Sequence, residues 1–195
     1  MLNVRKKCAK ENYFYFFIFM FTKQELWLKL SQLGCIRTNE IITLKSGLQS
    51  DTYIDLRLLT QCPQTLLSLC LLMHQEAKMI FTTETCLIGI PMGAIHLATL
   101  LSQITNIPQV LIRKNPKTHG TKKIIESQVK LSHVILVEDV ITTGSSVKEI
   151  VDLLLEHDPN IKIVGIVCAV NRSKLTHLQH VPIYSVFKKA LSANL

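Results

Sequence analysis

From the amino end, the first regular spacing of apolar residues is Leu26, Leu30 and Leu33, which share one face of a helix. Thr22 precedes that helix with Glu25 three positions on, the order of a capping box, and Gly34 closes it. Ile41 to Leu44 alternates weakly, Lys45-Ser46-Gly47 interrupts, and Thr52 to Leu56 follows, so a small antiparallel hood is expected before the main body. After Pro63, leucines at helical spacing predict a helix to about Lys78. Strand and helix patterns then alternate: a strand at Cys86 to Ile90, a helix from about Ala94 to Gln103, a strand at Gln109 to Ile112. Val134 to Val137 is a branched apolar run without alternation, the mark of a strand covered on both faces. A helix to about Glu156, a strand from Ile161 to Val170 and a late strand from Val181 to Val186 complete the pattern. The expectation is an α/β fold with a central, mainly parallel sheet flanked by helices.

Composition changes this picture little. At 195 residues and 48% hydrophobic content, one folded domain is expected over residues 22–195, with hood elements near 36–60. The net charge of +8 invites a polyanion partner. Part of it lies in Arg5, Lys6, Lys7 and Lys10, and part in the cluster Arg113, Lys114, Lys117, Lys122 and Lys123. Such a cluster suits a small polyphosphate as well as nucleic acid, so charge alone does not choose. The six cysteines form no CxxC pair or ligand-like grouping, which indicates neither a disulfide framework nor a zinc site and favours a reducing, cytoplasmic setting.

Tyr13 to Phe21 is an apolar, aromatic run behind basic residues. It is too short to span a bilayer and lacks a small-residue cleavage region. Residues 1–21 are therefore expected to be an ill-ordered or non-native extension, with Met20 an alternative start; packing on the domain or a partner and membrane contact are the weaker readings.

Three stretches carry candidate chemistry. The first runs from Val134 through Glu138, Asp139, Val140, Ile141, Thr142, Thr143, Gly144, Ser145 and Ser146. A hydrophobic strand ends in two carboxylates, and a turn of glycine and hydroxyls then opens a helix. Ligands in open α/β sheets bind at the carboxyl ends of strands. Backbone N–H groups at a helix start, with neighbouring hydroxyls, can surround a phosphate, while the carboxylates suit ribose hydroxyls or a developing cation. A plain strand exit with a capped helix is the bland alternative. The stretch is neither a P-loop nor a dinucleotide fingerprint. The second is Gly89-Ile90-Pro91-Met92-Gly93-Ala94, a turn between strand and helix that is common in α/β proteins and weak alone. The third, Arg113 to Thr121, is a basic loop containing His119, which titrates near neutrality; most such loops are only solvated surface.

The first stretch resembles the phosphoribosyl pyrophosphate (PRPP) motif of type I phosphoribosyltransferases. That resemblance implies that Glu138 and Asp139 contact ribose hydroxyls, that Thr142 to Ser146 line the 5-phosphate pocket, and that Gly89 to Ala94 form the pyrophosphate loop. The basic loop is similar to the mobile catalytic loop of orotate phosphoribosyltransferases, with Arg113, Lys114, Lys117 and His119 at residues that engage pyrophosphate. Ile42 to Gly47 with Tyr53 to Arg57 resembles the front of the same enzymes, where the residue matching Lys45 approaches both substrates, and Arg172 matches an arginine that holds orotate. A guanidinium suits orotate, which carries a planar carboxylate beside a ring carbonyl. The similarity covers roughly residues 22–190 and is nearest in wording to the phosphoribosyltransferase half of the bifunctional uridine monophosphate synthases. Asn171 and Ser173-Lys174 depart from the family pattern and bear on base choice.

The resemblance further implies Mg2+ carried mainly by PRPP with no certain protein ligand, and a homodimer in which the catalytic loop serves the adjacent subunit. A separate orotidine monophosphate decarboxylase is a possible partner, since that half is absent, while nucleic acid and membrane are not expected partners. Two other readings stay open: a phosphoribosyltransferase for another base, and a PRPP-sensing or nucleic-acid-binding regulator.

Overall fold

The computed structural model describes residues 21–43, 49–113, 124–129 and 131–188. Helix α1 (Lys23–Gln32) begins with the expected capping box: Glu25 N–H donates to Thr22 Oγ1 at 3.3 Å, and Thr22 N–H donates to Glu25 Oε2 at 2.8 Å. Leu26 and Leu30 are fully buried from this helix. The hood follows as strands β1 (Ile36–Thr43) and β2 (Gln49–Ile54), paired antiparallel with an irregularity between Thr38 and Ile42. A 3-10 turn at Leu56–Gln61 leads to helix α2 (Pro63–Glu76), whose first residue is a proline lacking the N–H that a helix start would leave unpaired. A Lys23–Glu76 ion pair at 2.7 Å joins the start of α1 to the end of α2.

The main sheet contains β3 (Thr85–Gly89), β6 (His133–Ile141), β7 (Lys162–Asn171), β9 (Val181–Lys188) and the short β8 (His177–Leu178), in the spatial order β3-β6-β7-β9-β8. The first four run parallel, and β8 adds an antiparallel edge to β9. Helix α3 (Ile95–Thr105) joins α1 and α2 over one face, and helix α4 (Ser145–His157) covers the other. Successive β6 residues serve the two faces in turn. Ile135 and Val137 pack with Leu69, Leu87, Leu97 and Val167 beneath α2 and α3, whereas Val134 and Leu136 pack with Ile150, Leu154 and Ile166 beneath α4. That double coverage explains the apolar run that lacks alternation. The mainly parallel α/β architecture matches the expectation.

The hood strands start earlier than the expected Ile41 and Thr52, and in the main body two further boundaries differ from the sequence reading. The segment expected as a strand at Gln109 to Ile112 touches the sheet only at Leu87, by an isolated parallel bridge to Gln109, and then peels away. Its end becomes β4 (Leu111–Ile112), which pairs antiparallel with β5 (Ile125–Glu126) at the stem of the basic loop. Strand β6 also does not stop at Val137, because β7 pairs beside it as far as Ile141 and Asn171. Glu138 and Asp139 therefore lie within the strand.

Cys35, Cys70, Cys86 and Cys168 are buried free thiols, and Cys62 is half-buried. Burial pushes the thiols of Cys35 and Cys86 up to about 11 and those of Cys70 and Cys168 higher still. They act as small core residues. Among the described residues no helix is long and apolar enough to cross a membrane. Apart from Phe21, which packs against the core, the amino-terminal aromatic run lies outside the described residues.

Candidate active site at the carboxyl edge of the sheet

A cleft of about 350 Å3 opens at the carboxyl ends of β3 and β6. Pro91, Met92 and Gly93 form one side, Glu138, Asp139, Val140, Thr142, Thr143, Ser145 and Ser146 the floor and the opposite side, and the hood with Arg172 closes it. Because neighbouring strand residues point to opposite faces, Glu138 shares a face with its β7 partner Cys168, while Asp139 turns toward the start of α3. Glu138 is buried and its Oε1 accepts the Asp139 N–H at 3.0 Å. Asp139 Oδ1 accepts the Val140 N–H at 2.8 Å. Both carboxylates are thus held by backbone donors beside open space.

Gly93 is required by this packing. A Cβ at that position would run into the Asp139 carboxylate, so only glycine lets the loop lie against it. The peptide bond between Pro91 and Met92 is cis. At the other end of the cleft Gly144 adopts φ 80°, in the left-handed region, and turns the chain from β6 into α4 under Leu178. The N-cap residues Ala94 and Gly144 offer no side-chain cap to α3 and α4, and in α4 only the Ser145 N–H donates to a side chain, Thr143 Oγ1 at 3.4 Å. Two helix starts can therefore still meet anions with backbone N–H groups, one beside Gly93 and one from Ser146 onward. Thr143 Oγ1 donates to Ser145 Oγ at 3.1 Å, which orders the hydroxyls at the second start.

The hood contributes residues that sequence reasoning did not assign to the site: Ile42, Thr43, Tyr53, Ile54, Asp55 and Arg57. Arg57 grips Asp55 with two parallel bonds, Nε to Oδ1 at 2.7 Å and Nη2 to Oδ2 at 2.6 Å. The guanidinium holds the Asp55 carboxyl below its usual range. The Asp-x-Arg spacing was the available signal. Arg172 is buried, its backbone N–H donates to Ile141 O at 2.7 Å, and its guanidinium reaches back to the hood.

The expected residues are thus partly gathered and partly not. Ile90 and Ala94 are buried supports behind the loop, Gly89 ends β3 against Ala98, and the Ile141 side chain packs in the core under α4, so these do not line the cleft. Arg113 is exposed at the loop stem, its N–H donating to Ile124 O at 2.9 Å, and is also outside the lining. Lys45, Lys114, Lys117 and His119 lie outside the described residues. Among the described residues no group of three His, Cys, Asp or Glu side chains is placed to hold a metal ion.

A parallel sheet whose carboxyl edge joins a carboxylate pair to two uncapped helix starts and a hydroxyl-rich turn is the framework of a phosphoribosyltransferase, and residues 67–194 match the phosphoribosyl transferase domain family. The chain is 38% identical over 153 residues to orotate phosphoribosyltransferase of Pyrococcus horikoshii, spanning 78% of this chain and 81% of that protein. It is 34% identical over 132 residues to uridine 5'-monophosphate synthase of Bos taurus, spanning 67% of this chain and 27% of that longer protein. The crystal structure of orotate phosphoribosyltransferase from Aeropyrum pernix superposes with a TM-score of 0.70 over 84% of this chain and 93% of that one; at 21% identity it speaks for the fold. The chain belongs to the orotate phosphoribosyltransferases.

Proposed function

We infer that the protein transfers ribose 5-phosphate from PRPP to the ring nitrogen of orotate, giving orotidine 5'-monophosphate and pyrophosphate in pyrimidine biosynthesis. The observation that carries this reading is the single cleft in which Gly93, the Glu138–Asp139 pair and the Thr142 to Ser146 turn meet. The start of α4 and the hydroxyls of Thr142, Thr143, Ser145 and Ser146 receive the 5-phosphate. Glu138 and Asp139 orient the ribose hydroxyls, and their charge favours the cation that develops on the sugar as the bond to pyrophosphate lengthens. Pro91 to Gly93 and the start of α3 receive the departing pyrophosphate, with Arg113, Lys114, Lys117 and His119 closing over it. Lys45 and Arg172 serve the base, Arg172 by facing the orotate carboxylate.

Of the three cleft carboxylates, Asp55 is taken up by Arg57, and Glu138 with Asp139 are too few to cage a divalent ion, a donor set that fits Mg2+ borne mainly by the substrate's own oxygens; when bound, it would neutralise the polyanion. Lys114, Lys117 and His119 work in the cleft of a second subunit, so the active form is a homodimer. The free thiols favour the reducing cytoplasm, where a decarboxylase takes up the product. Incubation with PRPP, Mg2+ and single bases tests the reading. Nucleotide and pyrophosphate are expected together with orotate and not with uracil, adenine or hypoxanthine; turnover with one of those bases in place of orotate, or with none, overturns it.

A further inference from the structure

The hood and the base-side arginine are joined by a closed set of buried hydrogen bonds. Arg172 Nη1 donates to the Thr52 carbonyl at 2.8 Å, and Nη2 donates to Ser50 Oγ at 2.9 Å. The Ser50 hydroxyl donates in turn to the Thr52 carbonyl at 2.9 Å and accepts the Thr52 N–H at 3.1 Å. Ser50, Thr52 and Arg172 are only 2%, 5% and 3% exposed, so water does not compete for these bonds. One serine oxygen thus touches three groups, and one carbonyl receives two donors.

We infer that Ser50 is a positioning residue for base recognition: together with the Thr52 carbonyl it fixes the plane of the Arg172 guanidinium at the base end of the cleft. A guanidinium has five N–H donors in a rigid plane. The clamp engages one on each terminal nitrogen, which stops rotation about the last side-chain bonds and leaves the buried Nε without a hydrogen-bond partner among the described residues. The Nε edge has the two-pronged shape that meets a carboxylate. Burial disfavours the charged form of Arg172 and Asp51 opposes that effect, so an arginine rather than a lysine keeps its charge here. From the other side the turn is set by Asn171, whose amide donates to Leu175 O at 2.9 Å while its oxygen accepts from Ser173 N–H and Oγ–H at 3.0 and 2.7 Å. The inference rests on orotate as the substrate and on Arg172 facing its carboxylate.

Ser50→Ala tests it by steady-state kinetics with each substrate varied in turn. Loss of a hydrogen bond to a charged group predicts a roughly tenfold rise in KM for orotate. The KM for PRPP and kcat are expected to stay within about twofold, because the ribose and pyrophosphate ends of the cleft do not touch Ser50. A hood that had merely loosened raises both KM values or lowers kcat, and that pattern overturns the positioning role. If Ser50→Ala does not fold, Ser50→Cys fills the same space with a weak donor and acceptor and is expected to give the same split. An unchanged orotate KM in a folded variant of an active enzyme overturns the clamp alone, whereas a wild type that makes no nucleotide from orotate removes the underlying reading and the clamp with it.

Discussion

At Gly93 the difference between a hydrogen and a methyl group decides whether two parts of the site can coexist. A Cβ there meets the Asp139 carboxylate, so Gly93→Ala must displace either the loop or the acid. A shift of about 1 Å in a positioned group can slow catalysis on the order of 100-fold. We expect a loss of that size in kcat/KM with Tm changed by only a few degrees, measured by steady-state kinetics beside a thermal melt; full activity in the variant would mean that this contact does not matter. Gly93 and Asp139 were both legible as candidates, since each lies in a motif between a strand and a helix. Their contact was not legible, because it joins the ends of two strands 46 positions apart in the chain. The clamp around Arg172 was hidden for the same reason: Ser50 and Thr52 precede it by more than a hundred residues. Serine and threonine in an exposed-looking segment carry no mark of burial.

Elements that bury an apolar stripe announced themselves, and those that do not were blurred. Helix α1 was legible to its cap because Thr22 and Glu25 are locally matched and Leu26 and Leu30 repeat at one turn. Strand β1 starts at Ile36, well before the stretch that alternates, because much of this ribbon is exposed and no periodic burial marks it. His96 of helix α3 is partly withdrawn from water, and burial lowers its pKa. The unfolded imidazole titrates near 6.5 while the folded one titrates lower, so the unfolded chain binds more protons as pH falls. Stability from this site is therefore complete above about pH 6.5 and is lost as pH drops through the interval below it. His74, lowered by burial and by Lys78, has the same sign. His96→Gln should flatten, without abolishing, the fall in denaturant midpoint between pH 7.5 and 5.5. A slope equal to wild type would exclude His96 as a contributor.

On the scale of the whole molecule, β6 is the spine shared by both cores and by the cleft. Ile135 is fully buried in the core beneath α2 and α3, three residues before Glu138. Ile135→Ala should cost about 2–5 kcal/mol, a large part of the roughly 5–15 kcal/mol that holds a domain folded. Urea unfolding should register a midpoint shift of that size, with activity retained at low temperature where the variant is still folded; a shift below about 1 kcal/mol would contradict the packing described. The three-layer order was legible because parallel strands buried on both faces read as unbroken apolar runs. The departure of β4 from the sheet was not, since its two residues look like any short strand.

The bonds from Arg172 to Ser50 and Thr52 bridge 122 and 120 positions of chain. During synthesis the hood leaves the ribosome long before the strand that carries its arginine. A nascent chain stopped ahead of Arg172 can already have its glycine loop and its acidic strand, yet it lacks the guanidinium that binds Ser50 and Thr52 of the front ribbon. The clamp on Arg172 therefore cannot close until the chain has been made through β7, long after the ribbon that it fastens.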